Sequence, residues 1–342
     1  MRILLTADPI IPVPPIGYGG IERIVDALLR YFRAAGHEVA LLAHPDSTSP
    51  ADRRFSWPDL RLDSSVATAR NALALRRAVR EFRPDVVHSF SRLAYLLPVL
   101  ATRQPVVMSY QRHTGGRQVA WGARLGGRTL RFTGCSDFIA AMGRAAGGQW
   151  TGIANFIELD KLAFVPAVPA DAPLVFLSRL DDIKGPDIAI AIARAAGRRL
   201  ILAGNRAEQG PQRVFFDREI DPHLGRDGIE WIGEVDDVRK NALLGSAAAL
   251  LVPIRWDEPF GIVFAEALAC GTPVITCPRG ATPEIVEPGR TGFLIDSVAS
   301  GVAAVARLGE LHRVDCRRAA EAQFTVATAA ARYLELYASL QP

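Results

Sequence analysis

Residues 249–276 read Ala249-Leu-Leu-Val-Pro-Ile-Arg-Trp-Asp-Glu258-Pro-Phe-Gly-Ile-Val-Phe-Ala-Glu266-Ala-Leu-Ala-Cys270-Gly-Thr-Pro-Val-Ile-Thr276. The first four are a continuous apolar run, the pattern of a buried strand. Pro259 and Gly261 suit a tight entry to a helix whose first turn begins near Ile262. That helix runs to Cys270, and Pro273–Thr276 is a second buried strand. Strand, helix and strand in this order build a parallel sheet covered on both faces. Glu258 falls on the loop at a strand's carboxyl end, where such sheets bind ligands. The free N–H groups of the turn Phe260, Gly261, Ile262, Val263 form an anion site, most simply for phosphate. Glu266 lies about one turn in, and its side chain leans back toward the helix N-terminus. Both carboxylates therefore face one ligand. A phosphate beside a carboxylate makes sense when the carboxylate grips hydroxyls, as on a ribose or a sugar ring. As mere dipole partners the two would contribute only ~0.3–1 kcal/mol each.

The same alternation extends both ways. Toward the N-terminus, strands are expected at Ile3–Leu5, Glu38–Ala43, Asp85–His88, Pro105–Ser109, Arg131–Thr133 and Gly152–Ala154. Helices are expected at Ile21–Ala35 and Val66–Phe82. Glu158–Pro173 carries three prolines and little periodicity, and reads as a linker. Beyond it come strands at Leu174–Leu177, Leu200–Ala203, Ile229–Ile232 and Phe293–Ile295. Helices follow at Pro186–Ala196, Val238–Ser246 and Thr325–Leu340. Two successive doubly wound α/β domains result, with a ligand cleft expected between them.

Composition agrees. The 342 residues are 49% apolar and 22% charged, which excludes disordered and fibrous classes. The four cysteines, Cys135, Cys270, Cys277 and Cys316, show no metal-binding spacing and suit a reducing cytoplasm. No apolar run reaches the ~18 residues of a membrane span, and the N-terminal run is too short for a signal peptide. Of 40 basic residues only Lys161, Lys184 and Lys240 are lysines. Where lysine survives among so many arginines, a compact ammonium is the expected requirement. The net charge of +4 suits an anionic ligand.

Further motifs stand in order along the chain. Gly17-Tyr-Gly19-Gly20-Ile-Glu22 follows the first strand but lacks the third glycine of a dinucleotide-binding loop. Ser178-Arg179-Leu-Asp-Asp-Ile-Lys184-Gly185 opens the second domain. Gly204-Asn205 and Trp231-Ile-Gly-Glu-Val235 follow later strands. With Glu258 and Glu266 they resemble the family 4 retaining glycosyltransferases, of the GT-B fold of two facing Rossmann-like domains. The resemblance implies that Glu258 binds the donor sugar and Glu266 the ribose hydroxyls. It implies that Arg179 and Lys184 hold the donor diphosphate. Gly19 and Gly20 lie over the phosphates, and Val235 and Asn205 flank the base. His113 is the better candidate for contacting the sugar. His88 is a weaker one, since Phe90 stands where the family often has a second histidine.

The implied domains are residues 1–160, an acceptor-binding half, and 161–324, a nucleotide-sugar-binding half. Residues 325–342 are expected to cross back to the first. The implied activity is retaining transfer of a sugar from a nucleotide-diphosphate donor, UDP favoured, to an acceptor hydroxyl. No metal or other cofactor is expected, because two cations take the metal's part. Nucleic acid is not an expected partner. The cluster Arg112, Arg117, Arg124, Arg128, Arg131 leaves acceptor, peripheral membrane contact or plain solvation open. The Arg/Ala bias and short frame lead to the expectation of a role in antibiotic or other secondary metabolism, with a lipid or cell-wall acceptor open. A sugar-nucleotide epimerase and a non-catalytic sugar-nucleotide-binding module are the alternatives.

Overall fold

The computed structural model describes residues 1–17 and 19–341. Tyr18 of the glycine-rich loop and the last residue of the terminal segment lie outside them. The chain forms two units, Met1–Asn155 with Val326–Pro342, and Phe156–Thr325. In chain order the first holds β1 (Arg2–Thr6), α1 (Gly20–Ala34), β2 (Glu38–Ala43), β3 (Arg53–Ser56), α2 (Ser65–Phe82), β4 (Val86–Ser89) and α3 (Leu93–Leu100). It continues with β5 (Val106–Tyr110), α4 (Gly116–Gly126), β6 (Leu130–Gly134), α5 (Asp137–Ala146) and β7 (Trp150–Gly152). Its seven parallel strands run β3-β2-β1-β4-β5-β6-β7. The second unit holds β8 (Leu174–Leu177), α6 (Pro186–Ala195), β9 (Leu200–Ala203), α7 (Pro211–Glu219), β10 (Ile229–Trp231), α8 (Asp237–Ser246) and β11 (Ala249–Val252). Then come α9 (Ile262–Ala269), β12 (Val274–Thr276), α10 (Thr282–Ile285), β13 (Gly292–Leu294), α11 (Val298–Ala306) and α12 (Arg313–Gln323). Its six parallel strands run β10-β9-β8-β11-β12-β13. Helix α13 (Val326–Ala338) belongs to the first unit. The central strands β1, β4, β8 and β11 are buried almost throughout, as a sheet covered on both faces requires. Both sheets reverse strand order beside their first strand, at β1/β4 and at β8/β11, the kind of place where such sheets bind ligands. Among the described residues no helix is long and apolar enough to cross a membrane.

Several features depart from the sequence reading for physical reasons, among them the linker and an edge strand. Glu158–Pro173 is tied down along its first half. Val165 N–H donates to the Cys270 carbonyl at 3.1 Å. The Arg313 guanidinium donates to the carbonyls of Val165, Ala247 and Gly245 at 2.7, 2.8 and 2.8 Å, and Arg317 donates to Leu162 at 3.0 Å. A buried cation is tolerable only when so partnered. The second departure is β3, an exposed edge strand without an apolar run.

His88, expected at a ligand-facing strand end, is corrected by the structure. It is fully buried, and both ring nitrogens are occupied, one by Tyr337 Oη of α13 at 2.5 Å and one by Ser109 Oγ at 2.6 Å. Its ring lies 4.7 Å from that of Tyr333. His88 fastens α13 to the sheet and has no surface for a ligand. Burial pushes its pKa down to about 3. The neutral ring is thus favoured in the folded state, while the unfolded ring takes a proton near the usual ~6.5. The stability from this group is full above ~6.5 and falls as pH drops toward ~3, by up to about 1.4 kcal/mol per unit. Urea unfolding followed from pH 8 to 4 should show His88→Gln less stable at pH 8 yet less acid-sensitive than wild type. Equal acid sensitivity of the two would contradict the assignment.

Candidate active site

The site is built where β8 and β11 part. The loop after β8 carries Arg179 and Lys184; the loop after β11 carries Glu258. Arg255 staples the two loops together. Its backbone N–H donates to the Ile183 carbonyl at 2.8 Å, and its guanidinium donates to the Asp182 carbonyl at 2.7 Å and forks onto the Asp187 carboxylate. Gly185, at φ +72°, lies so close to Pro253 that a Cβ would come within 2.1 Å of its carbonyl oxygen. Glycine is therefore required for the approach. The staple brings Lys184 Nζ to Glu258 Oε2 at 2.6 Å, with both side chains mostly buried. The Trp256 indole N–H donates to the same oxygen at 2.9 Å, and Lys184 Nζ lies 4.6 Å from the Trp256 ring centroid. The Glu258 backbone is fixed too: its carbonyl accepts from Ala281 N–H at 2.8 Å.

Helix α9 begins beside this pair. Gly261, at φ +86°, precedes it without a side-chain cap, and a Cβ there would come within 2.5 Å of the Phe264 ring. Ile262 and Val263 form the first turn, and Phe260 is buried against Phe324 at 5.7 Å between ring centroids. The turn offers backbone N–H groups and the positive end of the helix dipole. Glu266, one turn on, accepts from Lys240 Nζ of α8 at 2.6 Å, which also meets Asp237 at 3.1 Å. Burial alone would lower the Lys240 pKa, but the Glu266 and Asp237 carboxylates more than offset it, and it is raised. So two of the three lysines each partner one of the two signature carboxylates. The scarcity of lysine in the sequence is a signal for Lys240 as much as for Lys184. Arg179 is exposed and pairs with Asp181 at 2.9 Å, apart from the Lys184 pair. Around the crevice, Leu180 N–H donates to the Asn205 carbonyl and Gly204 N–H to the Gly233 carbonyl. These bonds lace the loops after β8, β9 and β10, with Val235 just beyond.

The N-terminal unit has its own switch point. Gly19 precedes α1, and a Cβ on it would come within 2.7 Å of Pro15, while Gly20 opens the helix. Glu22 is buried in the first turn and Asp8 lies just past β1, 3.7 Å from Arg112. Burial raises the pKa of both carboxyls. His113 is exposed after β5, with its ring 5.9 Å from that of Phe138.

Two doubly wound units, each with a switch point, and an uncapped helix start flanked by cation-held carboxylates are an arrangement suited to a phosphorylated, hydroxyl-bearing ligand. Residues 18–161 match the model of Glycosyltransferase Family 4, and residues 164–321 that of Glycosyl transferases group 1. The chain is accordingly a glycosyltransferase of this group 1 and family 4 kind, with the GT-B fold. It is 28% identical to a glycogen synthase of Mycobacterium tuberculosis, over 85% of this chain and 81% of that one. It is 27% identical to a phosphatidyl-myo-inositol mannosyltransferase of Mycolicibacterium smegmatis, over 89% and 83%. Among solved structures, AviGT4, a glycosyltransferase involved in Avilamycin A biosynthesis, matches at 26% identity and TM-score 0.70, covering 99% of this chain and 98% of that one. Anabaena Alr3699/HepE, solved with UDP-glucose, shares the fold at 18% identity and TM-score 0.72, covering 99% and 100%.

The close approach at Glu258 can be tested by its neighbour. Gly280, at φ +61°, would place a Cβ 2.3 Å from the Glu258 carbonyl oxygen; Gly289, at φ +78°, has open space. Gly289→Ala should cost about 1 kcal/mol from backbone strain alone, and Gly280→Ala clearly more. Thermal unfolding of both variants measures the difference. Equal costs would mean that the loop is free to move away.

Proposed function

We propose that this chain is a retaining, metal-independent glycosyltransferase that moves a sugar from a nucleotide-diphosphate donor to an acceptor hydroxyl. The observation that carries the reading is the pair of cation-held carboxylates, Glu258 with Lys184 and Glu266 with Lys240, flanking the uncapped start of α9. In this reading the diphosphate lies over that helix start. Lys184 and the α9 N–H groups meet it, and the exposed Arg179 turns to it from Asp181. Glu266 takes the ribose hydroxyls. Glu258 takes hydroxyls of the transferred sugar, and Val235 and Asn205 flank the base. Within the N-terminal unit, Gly19, Gly20 and His113 are the residues put forward.

The chemistry follows from those charges. The bond from the anomeric carbon to the diphosphate oxygen breaks, and the acceptor oxygen bonds to that carbon from the same face. The acceptor proton passes to the departing diphosphate. Glu258 acts here as a held anion rather than a base, because one of its oxygens already accepts from Lys184 and Trp256. Negative charge grows on the diphosphate as the bond breaks. Lys184, Arg179 and the α9 N-terminus stabilise it more than the ground state, which is what lowers a barrier. The likeness over nearly all of both chains to AviGT4, involved in Avilamycin A biosynthesis, supports a role in antibiotic or other secondary-metabolite biosynthesis. UDP is the nucleotide put forward first.

A thermal-shift screen across nucleoside diphosphates and their sugars tests the reading, since a ligand at 100 times its Kd stabilises by ~2.7 kcal/mol. The same shift and the same turnover are expected in EDTA; activity restored only by Mg²⁺ or Mn²⁺ would refute metal independence. Product formed only with an acceptor present separates transfer from epimerisation. Glu266→Gln and Lys240→Met should each weaken nucleoside diphosphate binding about tenfold by calorimetry, the scale of a charged hydrogen bond. Glu258→Gln should keep that affinity and lose ~10²-fold in turnover, the scale of sugar misplacement. The inverse pattern would exchange the two roles.

A further inference from the structure

We propose that Trp256 is the positioning residue for Glu258, holding the carboxylate for the sugar while Lys184 is given over to the diphosphate. The inference rests on the transferase reading above and adds a residue to it. Glu258 Oε2 accepts from two donors, Lys184 Nζ at 2.6 Å and Trp256 Nε1 at 2.9 Å. The two donors are unlike. Lys184 has three N–H bonds on a flexible stem and carries charge, so an arriving diphosphate competes with Glu258 for it. The indole has one N–H, no charge and a planar, stiff frame, so it is the weaker lure for phosphate and the better anchor. Trp256 and Glu258 lie two residues apart in a loop fixed on both sides, by Arg255 on Asp187 and Ile183 and by Ala281 on the Glu258 carbonyl. When Lys184 turns away, the indole N–H remains on Oε2, and the other carboxylate oxygen stays aimed at the sugar. The Lys184 ammonium, 4.6 Å from the indole centroid, can make that turn along an aromatic face that attracts cations.

Trp256→Phe tests this, since it keeps an aromatic face and removes only the N–H. Nucleoside diphosphate affinity should match wild type, the variant should still unfold cooperatively at a modestly lower temperature, the donor KM should stay within twofold, and kcat should fall about tenfold or more. Introduced into Glu258→Gln, the same change should cost nothing further, because Trp256 acts through the lost carboxylate. A second readout needs no turnover. In 15N-labelled protein, the indole N–H of Trp256 should report a hydrogen bond that Glu258→Gln weakens and that saturating UDP leaves in place. An indole signal that loses its bond on UDP binding would overturn the proposal, as would a Trp256→Phe loss undiminished in the Glu258→Gln background. Full kcat in Trp256→Phe, with an active wild type, would overturn it alone. A wild type that transfers nothing would sink the transferase reading and this proposal together.

Discussion

The ion pair between Lys184 and Glu258 is the constraint on which the C-terminal site depends. It joins two loops 74 residues apart in sequence, at the point where the sheet reverses strand order. Neither side chain could be mostly buried without the other, because an unpaired charge in that place would cost far more than the pair. The surrounding devices exist to bring the two together. Gly185 permits the loop after β8 to press against Pro253, Gly280 permits a second loop to press against Glu258, and Arg255 binds the first two loops into one body. The same logic repeats one turn along α9, where Lys240 reaches Glu266 from α8.

This arrangement pairs the site's charges before any ligand arrives. Each carboxylate has its cation, and the α9 N-terminus supplies the remaining positive end. On the proposed reading, a diphosphate entering such a place finds donors already oriented, at little cost of reorganisation. It also finds them engaged, so its binding must redistribute partners rather than simply add charge. The rigidity of the loops matters for that reason. On that reading, Glu258 would lose its aim as the donor bound if the frame moved with Lys184.

What could be seen in the sequence was what lies close along the chain. Residues 249–276 hold a strand, a loop, a helix and a strand without interruption, so their fold and the placing of Glu258 and Glu266 follow from local pattern. Lys184 was legible because lysine is so rare here. Lys240 carries the same signal, though no motif assigns it a partner. Arg255, Gly280 and Arg313 were not legible, since their value lies in carbonyls and carboxylates tens of residues away. Helix α3 hid behind an apolar run containing Pro98, and α12 behind small and charged residues whose buried face is Cys316, Ala319 and Ala320. His88 misled because a histidine at a strand's carboxyl end looks like a ligand contact. Only the return of α13, more than two hundred residues later, shows that Tyr337 occupies it.

The most direct measurement is a crystal structure of the chain with an intact nucleotide-diphosphate sugar bound. The account predicts the diphosphate over the first turn of α9 with Lys184 Nζ within hydrogen-bonding distance of it. It predicts Glu266 on the ribose hydroxyls and Glu258 on a hydroxyl of the sugar. A donor bound elsewhere, or one bound with Lys184 still closed on Glu258 and the sugar out of reach of that carboxylate, would contradict it.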